Sequence, residues 1–250
     1  MGRTLTGMAV AMLACAGAQA AQAPAYDRPG IGFSTSTVGK GVFAWEQGLP
    51  DGNHDRRDGV TATTWTADTL LRLGVGRTLE LQLGADTWGG QRLRGAGLHA
   101  RAEGGGDGSI AVKWAPALDN DTLTVAFKFG TTLPWGQAPL GGDGQVRDLG
   151  VTVAWALPAD AGLALHVDRQ WGDDGGGWLF SPSYGFPLGE DVAAYVEAGY
   201  GEDQQHMRAA GAGLTWMATP RLQLDASFLR GLDEETADWQ GGVGLALYFD

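Results

Sequence analysis

Residues 60–88 alternate apolar and polar side chains over two long runs, and this period of two limits the possible folds more than any other feature of the chain. In the first run Trp65 and Leu73 belong to an apolar row, while the intervening residues are mostly polar or small. After a glycine-containing break at 74–77 the alternation resumes and continues to Trp88. Such alternation is typical of amphipathic strands, so the two runs predict a β-hairpin.

The same alternation returns along the rest of the chain and gives about twelve strands. Five connections are short, at 74–77, 116–121, 158–162, 187–191 and 218–221. The other connections are mostly longer and more acidic, an asymmetry typical of the periplasmic turns and extracellular loops of outer-membrane barrels. The sequence therefore predicts an all-β fold, a transmembrane antiparallel β-barrel of about 12 strands of the outer-membrane type.

The sequence pattern divides the chain into three parts. Residues 1–20 predict a cleaved signal peptide, because a basic residue precedes a short apolar stretch that ends in small residues; cleavage is expected after Ala20 or Ala23. Residues 21–41 show no clear period and are expected to be an N-terminal lead-in, and residues 42–250 to be the barrel. Export and the barrel pattern together predict the outer membrane of a Gram-negative bacterium.

The ten tryptophans provide a separate indication of a membrane, because each lies near the end of a predicted strand. Two aromatic girdles about ten strand residues apart match the height of a hydrocarbon core. Four members are predicted at the short-turn ends: Trp114, Trp155, Trp216 and Phe249. Seven are predicted at the long-loop ends: Trp45, Trp65, Trp88, Trp135, Trp171, Trp178 and Trp239. A soluble sandwich or lipocalin-like barrel remains the alternative, since alternation does not say which row faces outward.

The last strand alternates Val243, Leu245, Leu247 and Phe249, which resembles the terminal signal that the barrel-assembly machinery reads. The additional Asp250 departs from that signal. The expected partners are accordingly this machinery during biogenesis, outer-membrane lipid and a small-molecule solute.

If the apolar row faces lipid, the opposite row lines the interior. The predicted lumen-lining residues are Asp68, Arg72, Glu80, Gln82, Asp86, Lys113, Lys128, Asp148, His166, Asp168, Glu197, Gln223 and Asp225. Acids outnumber bases in this set, which argues against a channel for acidic sugars. The row fits either a narrow channel or a plugged interior held by salt bridges. Residues 88–108 are expected to be an irregular loop, either functional or folded inward as a plug.

No catalytic or metal-binding constellation is visible. The histidines lack metal-ligand spacing, and His166 is followed two residues later by Asp168 instead of the serine of outer-membrane phospholipase. His166 is expected to hydrogen-bond a neighbour in the lumen. The formal charge of −12 argues against nucleic acid. We therefore expect a protein that is not an enzyme and needs no cofactor.

Several stretches resemble one family of outer-membrane proteins. These are Pro-Gly-Ile-Gly-Phe-Ser at 29–34, Gly-Val-Phe-Ala-Trp-Glu at 41–46, Leu-Glu-Leu-Gln-Leu-Gly at 79–84 and Gly-Asp-Gly-Ser-Ile-Ala-Val-Lys-Trp-Ala-Pro at 106–116. They are similar to the family named for the MetA pathway of phenol degradation. The resemblance implies an outer-membrane transporter that passes small molecules, aromatic or hydrophobic compounds among them, and it transfers no binding residue. A non-conducting structural or surface-binding barrel is the first alternative, and a lipid-active barrel enzyme is the second.

Overall fold

The strands of the computed structural model, which describes residues 25–142, 144–173 and 175–250, form one antiparallel sheet that closes on itself. They are β1 (Phe43–Arg57), β2 (Val60–Gly74), β3 (Leu79–Gly95), β4 (Leu98–Gly104), β5 (Gly108–Trp114), β6 (Leu123–Leu133), β7 (Val146–Ala156), β8 (Gly162–Gly172), β9 (Gly175–Pro187), β10 (Val192–Asp203), β11 (Met207–Thr219), β12 (Leu222–Gly231) and β13 (Trp239–Phe249). β5 pairs with the first half of β3, residues 79–85, and β4 pairs with its second half, residues 89–95. β4 and β5 therefore occupy a single strand position in the barrel. The predicted barrel of about 12 strands is confirmed.

Closure joins the two ends of the barrel sequence. β1 lies between β2 and β13, with Phe43 opposite Phe249, and β2 also pairs with β3. All neighbouring strands are antiparallel, as up-and-down connections require. We call the end that holds Phe43, Phe249 and the five short connections the short-turn rim, and the other end the long-loop rim. The predicted signal peptide at 1–20 and both of its cleavage sites lie outside the described residues.

The two faces of the sheet reverse the arrangement of a soluble protein. Leu81, Val112 and Phe129 are large apolar side chains that stay exposed on the outside, whereas the charged side chains of Arg72 and Lys113 are fully buried. An apolar exterior around a polar interior is the arrangement of a barrel that crosses a membrane. The sequence alternative of a barrel with its apolar rows inward is therefore wrong. The described part of the chain contains no helix long and apolar enough to cross a bilayer.

Two expectations about the long-loop side were wrong. Residues 88–108 were expected to be an irregular loop, but β3 runs to Gly95 and a tight turn leads into β4, so only 96–97 and 105–107 lie between strands. The turn uses positive φ at Gly95, Ala96 and Gly97 (121°, 48° and 79°). The expectation failed because this hairpin is rich in glycine and polar on both faces, which hides the strand period.

The second concerns β1. This strand begins at the short-turn rim and continues through the polar residues 49–57, which pair with β2. Because β1 starts at the short-turn rim, Trp45 lies opposite Leu247, close to that rim, and its predicted position in the long-loop girdle is wrong. Together β1–β2 and β3–β4 form two adjacent hairpins, residues 52–65 and 89–104, which we call the outer hairpins.

Candidate functional site

The segment that precedes the barrel lies inside it. Residues 26–39, which we call the inserted segment, contain no strand or helix. At one end Tyr26 donates a hydrogen bond of 2.7 Å to the carbonyl of Arg221, in a short turn. At the other end Thr37 donates to the carbonyl of Arg77, in another short turn, over 3.3 Å. The segment thus enters the lumen from the short-turn rim and returns to the same rim.

Nearest the rim, the inserted segment completes a buried cluster of charges. Arg72 lies 2.7 Å from Glu46 and 2.8 Å from Glu80, and all three side chains are fully buried. Asp27 of the inserted segment accepts a bond of 2.6 Å from the equally buried Lys113. A buried charge left without a partner is strongly destabilising. Asp27 therefore contributes to the charge balance of the barrel wall.

One residue further along, Arg28 carries a second cluster. Its guanidinium lies 2.6 Å from Asp51, 3.1 Å from Asp68 and 3.4 Å from Asp225. A Cβ added at Gly244 would lie 2.5 Å from the Arg28 Nε, so the glycine on β13 leaves the room that this side chain occupies. Three carboxylates around one guanidinium leave this level of the lumen with an excess of negative charge.

Beyond the tip of the segment, an aromatic ring faces the opposite wall. The Phe33 ring contacts the His166 ring edge-on, with 5.0 Å between centroids, and Lys128 lies 5.0 Å from the Phe33 centroid. A Cβ on Gly150 would come within 2.6 Å of Phe33. His166 shares a hydrogen bond of 3.0 Å with Thr152, which confirms the hydrogen-bonded histidine expected from the sequence.

The inserted segment does not fill the lumen. A cavity of about 480 Å³ lies towards the long-loop rim, between Arg28, Asp51 and Asp68. A second, of about 320 Å³, lies between Phe33, Lys128 and the opposite wall, and a third, of about 220 Å³, lies towards the short-turn rim. Asp27 lines all three cavities. Water-sized space therefore surrounds the segment on several sides.

The structure places the predicted interior residues as follows. Arg72, Glu80, Gln82, Lys113, His166, Asp168, Glu197, Gln223 and Asp225 are buried, and Asp68, Asp86, Lys128 and Asp148 are half-buried. Several of them contact the inserted segment. Gln82 donates to Asp27 over 2.8 Å, Gln223 donates to the carbonyl of Arg28 over 3.0 Å, and Glu197 accepts from the backbone N–H of Ile31 over 2.9 Å.

Sequence reasoning missed five residues of this site: Asp27, Arg28, Phe33, Glu46 and Asp51. Glu46 and Asp51 belong to β1. Glu46 alternates with the apolar Phe43 and Trp45 and could have been found from that alternation, whereas Asp51 required the strand to be extended beyond residue 48. The other three belong to a segment without any period, so no pattern pointed to them. The two adjacent charges at 27 and 28, in a stretch otherwise poor in charge, were the available signal.

At the long-loop rim, two connections hold each other. His206, between β10 and β11, lies 2.9 Å from Asp233 in the connection 232–238. Although desolvation opposes the effect, hydrogen bonds from the hydroxyl and backbone N–H of Thr236 and from His206 lower the pKa of Asp233 to about 2. No group of three His, Cys, Asp or Glu side chains among the residues described could hold a metal ion.

Comparison with known proteins gives one family and several similar structures. The family model described as "Putative MetA-pathway of phenol degradation" matches residues 26–249, a range that includes the inserted segment. The COG4313 outer membrane channel from Pseudomonas putida F1 is 15% identical, with a TM-score of 0.65 over 89% of this chain and 99% of that one. The KdgM porin is 9% identical, with a TM-score of 0.57 over 83% and 99%. No curated protein matches the chain.

Proposed function

The chain belongs to the MetA-pathway of phenol degradation family of outer-membrane barrels, and from this premise we propose that it is a passive channel for small molecules in the outer membrane of a Gram-negative bacterium. The observation that carries the proposal is the polar lumen, in which cavities of about 480 and 320 Å³ lie beside the inserted segment. A passive channel needs no cofactor, because width and wall charge decide what passes.

The dimensions of the wall support the membrane part of the proposal. Trp65 lies nine residues from Gly74, at the short-turn end of the same strand. At about 3.3 Å per residue and a tilt of about 40°, this distance spans about 23 Å, close to the apolar band of about 25 Å on outer-membrane barrels. Trp114 and Trp216, at the short-turn ends of their strands, are about half exposed, as interface tryptophans would be.

The charges of the lumen support a preference against anions. Carboxylates surround Arg28, and Asp27, Asp148 and Asp168 line the second cavity together with Lys128. The KdgM porin is described in complex with oligogalacturonate, and we do not propose that kind of solute here because an acidic lumen would repel it. The family description and the Phe33 ring beside Lys128 instead favour small aromatic compounds, since a ring and a cation both offer them contacts.

One observation favours the alternative of a non-conducting structural barrel. In the cluster of Arg72, Glu46, Glu80, Lys113 and Asp27 at the short-turn end, the first four side chains are fully buried and every charge has a partner of opposite sign. A segment held by such contacts could close the lumen permanently. The third reading, a lipid-active enzyme, has less support because the His166–Thr152 pair points into the lumen, away from lipid; phospholipase and deacylase assays on the refolded protein would detect such an activity.

Liposome swelling with refolded protein tests the channel. Sugars of graded size would be compared with small phenolic acids and with neutral phenols that do not cross the bilayer unaided. Size-dependent swelling would support an open pore, and faster entry of the aromatic solutes would support the proposed substrate class. Absence of swelling, from protein whose heat-shifted gel mobility proves folding, would favour the structural barrel.

A further inference from the structure

The outward face of the outer hairpins carries a row of arginines. Arg92 lies opposite Thr63 on one side and opposite Arg101 on the other, two pairs further out than the Trp65–Gly90 pair. Because residues two positions apart on a strand share a face, Arg92 and Arg101 point to the same side as Trp65. The same count places Arg94 and, on β1, Arg56 on this face. All four point away from the lumen.

Acidic residues do not neutralise most of this row. Arg56, Arg92 and Arg94 are exposed, and within residues 25–142, 144–173 and 175–250 none of the three side chains has a carboxylate at ion-pair distance. Arg101 pairs with Glu103 and remains 73% exposed. This concentration of positive charge runs against the formal charge of −12 of the whole chain. A local patch of the minority sign suggests attraction of an anion to this face.

A small cleft lies at the base of the row. It has a volume of about 220 Å³ and lies between Trp65, Arg92, Arg101 and Glu103. A Cβ added at Gly90 would be 3.1 Å from the indole, so the glycine allows the Trp65 ring to lie close against β3. An indole marks the boundary between hydrocarbon and headgroups. The Arg92 backbone is about 7 Å further out along the strand, at the level where lipid phosphates begin.

We propose that this face is a binding site for the phosphate groups of outer-leaflet lipid, specifically the bisphosphorylated lipid A of lipopolysaccharide. The guanidinium groups of Arg92, Arg94 and Arg101 would each offer a planar pair of donors to phosphate oxygens. The acyl chains would pack along the apolar wall below Trp65. The inference rests on the proposed outer-membrane location but is independent of conduction, because the side chains concerned lie outside the lumen.

Lipid binding by the refolded full-length chain in a neutral detergent tests the proposal. Bisphosphorylated lipid A is titrated into the wild-type protein, into Arg92→Ser/Arg94→Ser and into a control with the same change of charge, Arg57→Ser/Arg77→Ser. Arg57 lies on the opposite face of its hairpin, paired with Asp55, and Arg77 lies in a short turn. Loss of two charge-assisted contacts should weaken binding roughly tenfold or more in the first variant. The control should bind lipid A as the wild type does.

Phosphatidylethanolamine, which has no net charge, serves as the comparison lipid. The proposal is overturned if the wild type binds lipid A no better than phosphatidylethanolamine, or if the two double variants lose affinity equally. Folding of each variant is verified by heat-shifted gel mobility. Conductance of Arg92→Ser/Arg94→Ser should equal that of the wild type. A wild-type protein that binds lipid A and does not conduct would refute the channel and leave the lipid site standing.

Discussion

Asp68 and Asp168 both lie on the inner face, but their charges are balanced differently. Asp68 is 3.1 Å from Arg28, whereas Asp168 accepts a long bond of 3.4 Å from Gln205. We expect Asp68→Asn and Asp168→Asn both to shift ion preference towards anions, and Asp168→Asn to do so more strongly because, among the described residues, no lysine or arginine lies at ion-pair distance from it. Reversal potentials of single channels in a KCl gradient measure the shift. Unchanged potentials in both variants would remove the two carboxylates from the conduction path.

Arg72 allows a test of what the buried charges contribute to stability. Arg72→Met removes the cation that both Glu46 and Glu80 contact and leaves two carboxylates fully buried. Breaking a buried pair from one side costs about 3–5 kcal/mol, so the midpoint of urea unfolding in detergent should fall accordingly. Arg77→Met is the control, because Arg77 is exposed in the short turn after the same strand. Equal midpoints for the two variants would show that the cluster adds no stability.

At the level of elements, the inserted segment lies in the lumen but outside the barrel strands, so its sequence can be replaced without changing a strand residue. Replacing residues 27–34 by a glycine–serine sequence of the same length deletes the contacts of Asp27, Arg28 and Phe33. We expect a severalfold rise in single-channel conductance, since the space that the segment occupies becomes available to water and ions. The control is the same kind of replacement in the short turn 116–121, which lies outside the lumen.

Labelling gives a second measurement on the same element. The one cysteine of the chain is Cys15, within the predicted signal peptide, so Ile31→Cys would provide a single reporter at the tip of the segment. In the otherwise unchanged protein we expect a small thiol reagent to react there, because Ile31 lines both of the larger cavities. A large reagent should be excluded. Equal reaction with both reagents would mean that the segment spends its time outside the barrel.

The elements differ in how well the sequence predicts them. Strands such as β6 and β8, with one apolar and one polar row, follow directly from the period of two, because lipid on one side and water on the other impose it. The outer hairpins extend beyond the hydrocarbon layer, where both faces have polar surroundings and no such period is required, so residues 89–104 look like a loop. The inserted segment is held by single side chains such as Asp27 and Arg28, and contacts of that kind leave no periodic trace.

At the scale of the whole molecule, the excess of acids in the lumen predicts how the channel selects between cations and anions. Carboxylates outnumber cations around the cavities, with Asp51, Asp68 and Asp225 sharing Arg28. We expect the pore to prefer cations at low salt and to lose most of that preference at high salt. The Debye length falls from about 10 Å at 0.1 M to about 3 Å at 1 M, so carboxylates several ångströms from the ion path cease to act on it.

Reversal potentials are measured with a fixed tenfold KCl gradient at average concentrations from about 0.05 to about 1 M, where the Debye length falls from about 14 to about 3 Å. The replacement of residues 27–34 removes one acid and one base, Asp27 and Arg28, so it should widen the pore while leaving the sign of the preference unchanged. An anion preference at low salt would mean that Arg28, Lys113 and Lys128 dominate the path despite their smaller number. In that case the carboxylates serve mainly to hold the inserted segment, and the selectivity of the channel resides in its cations.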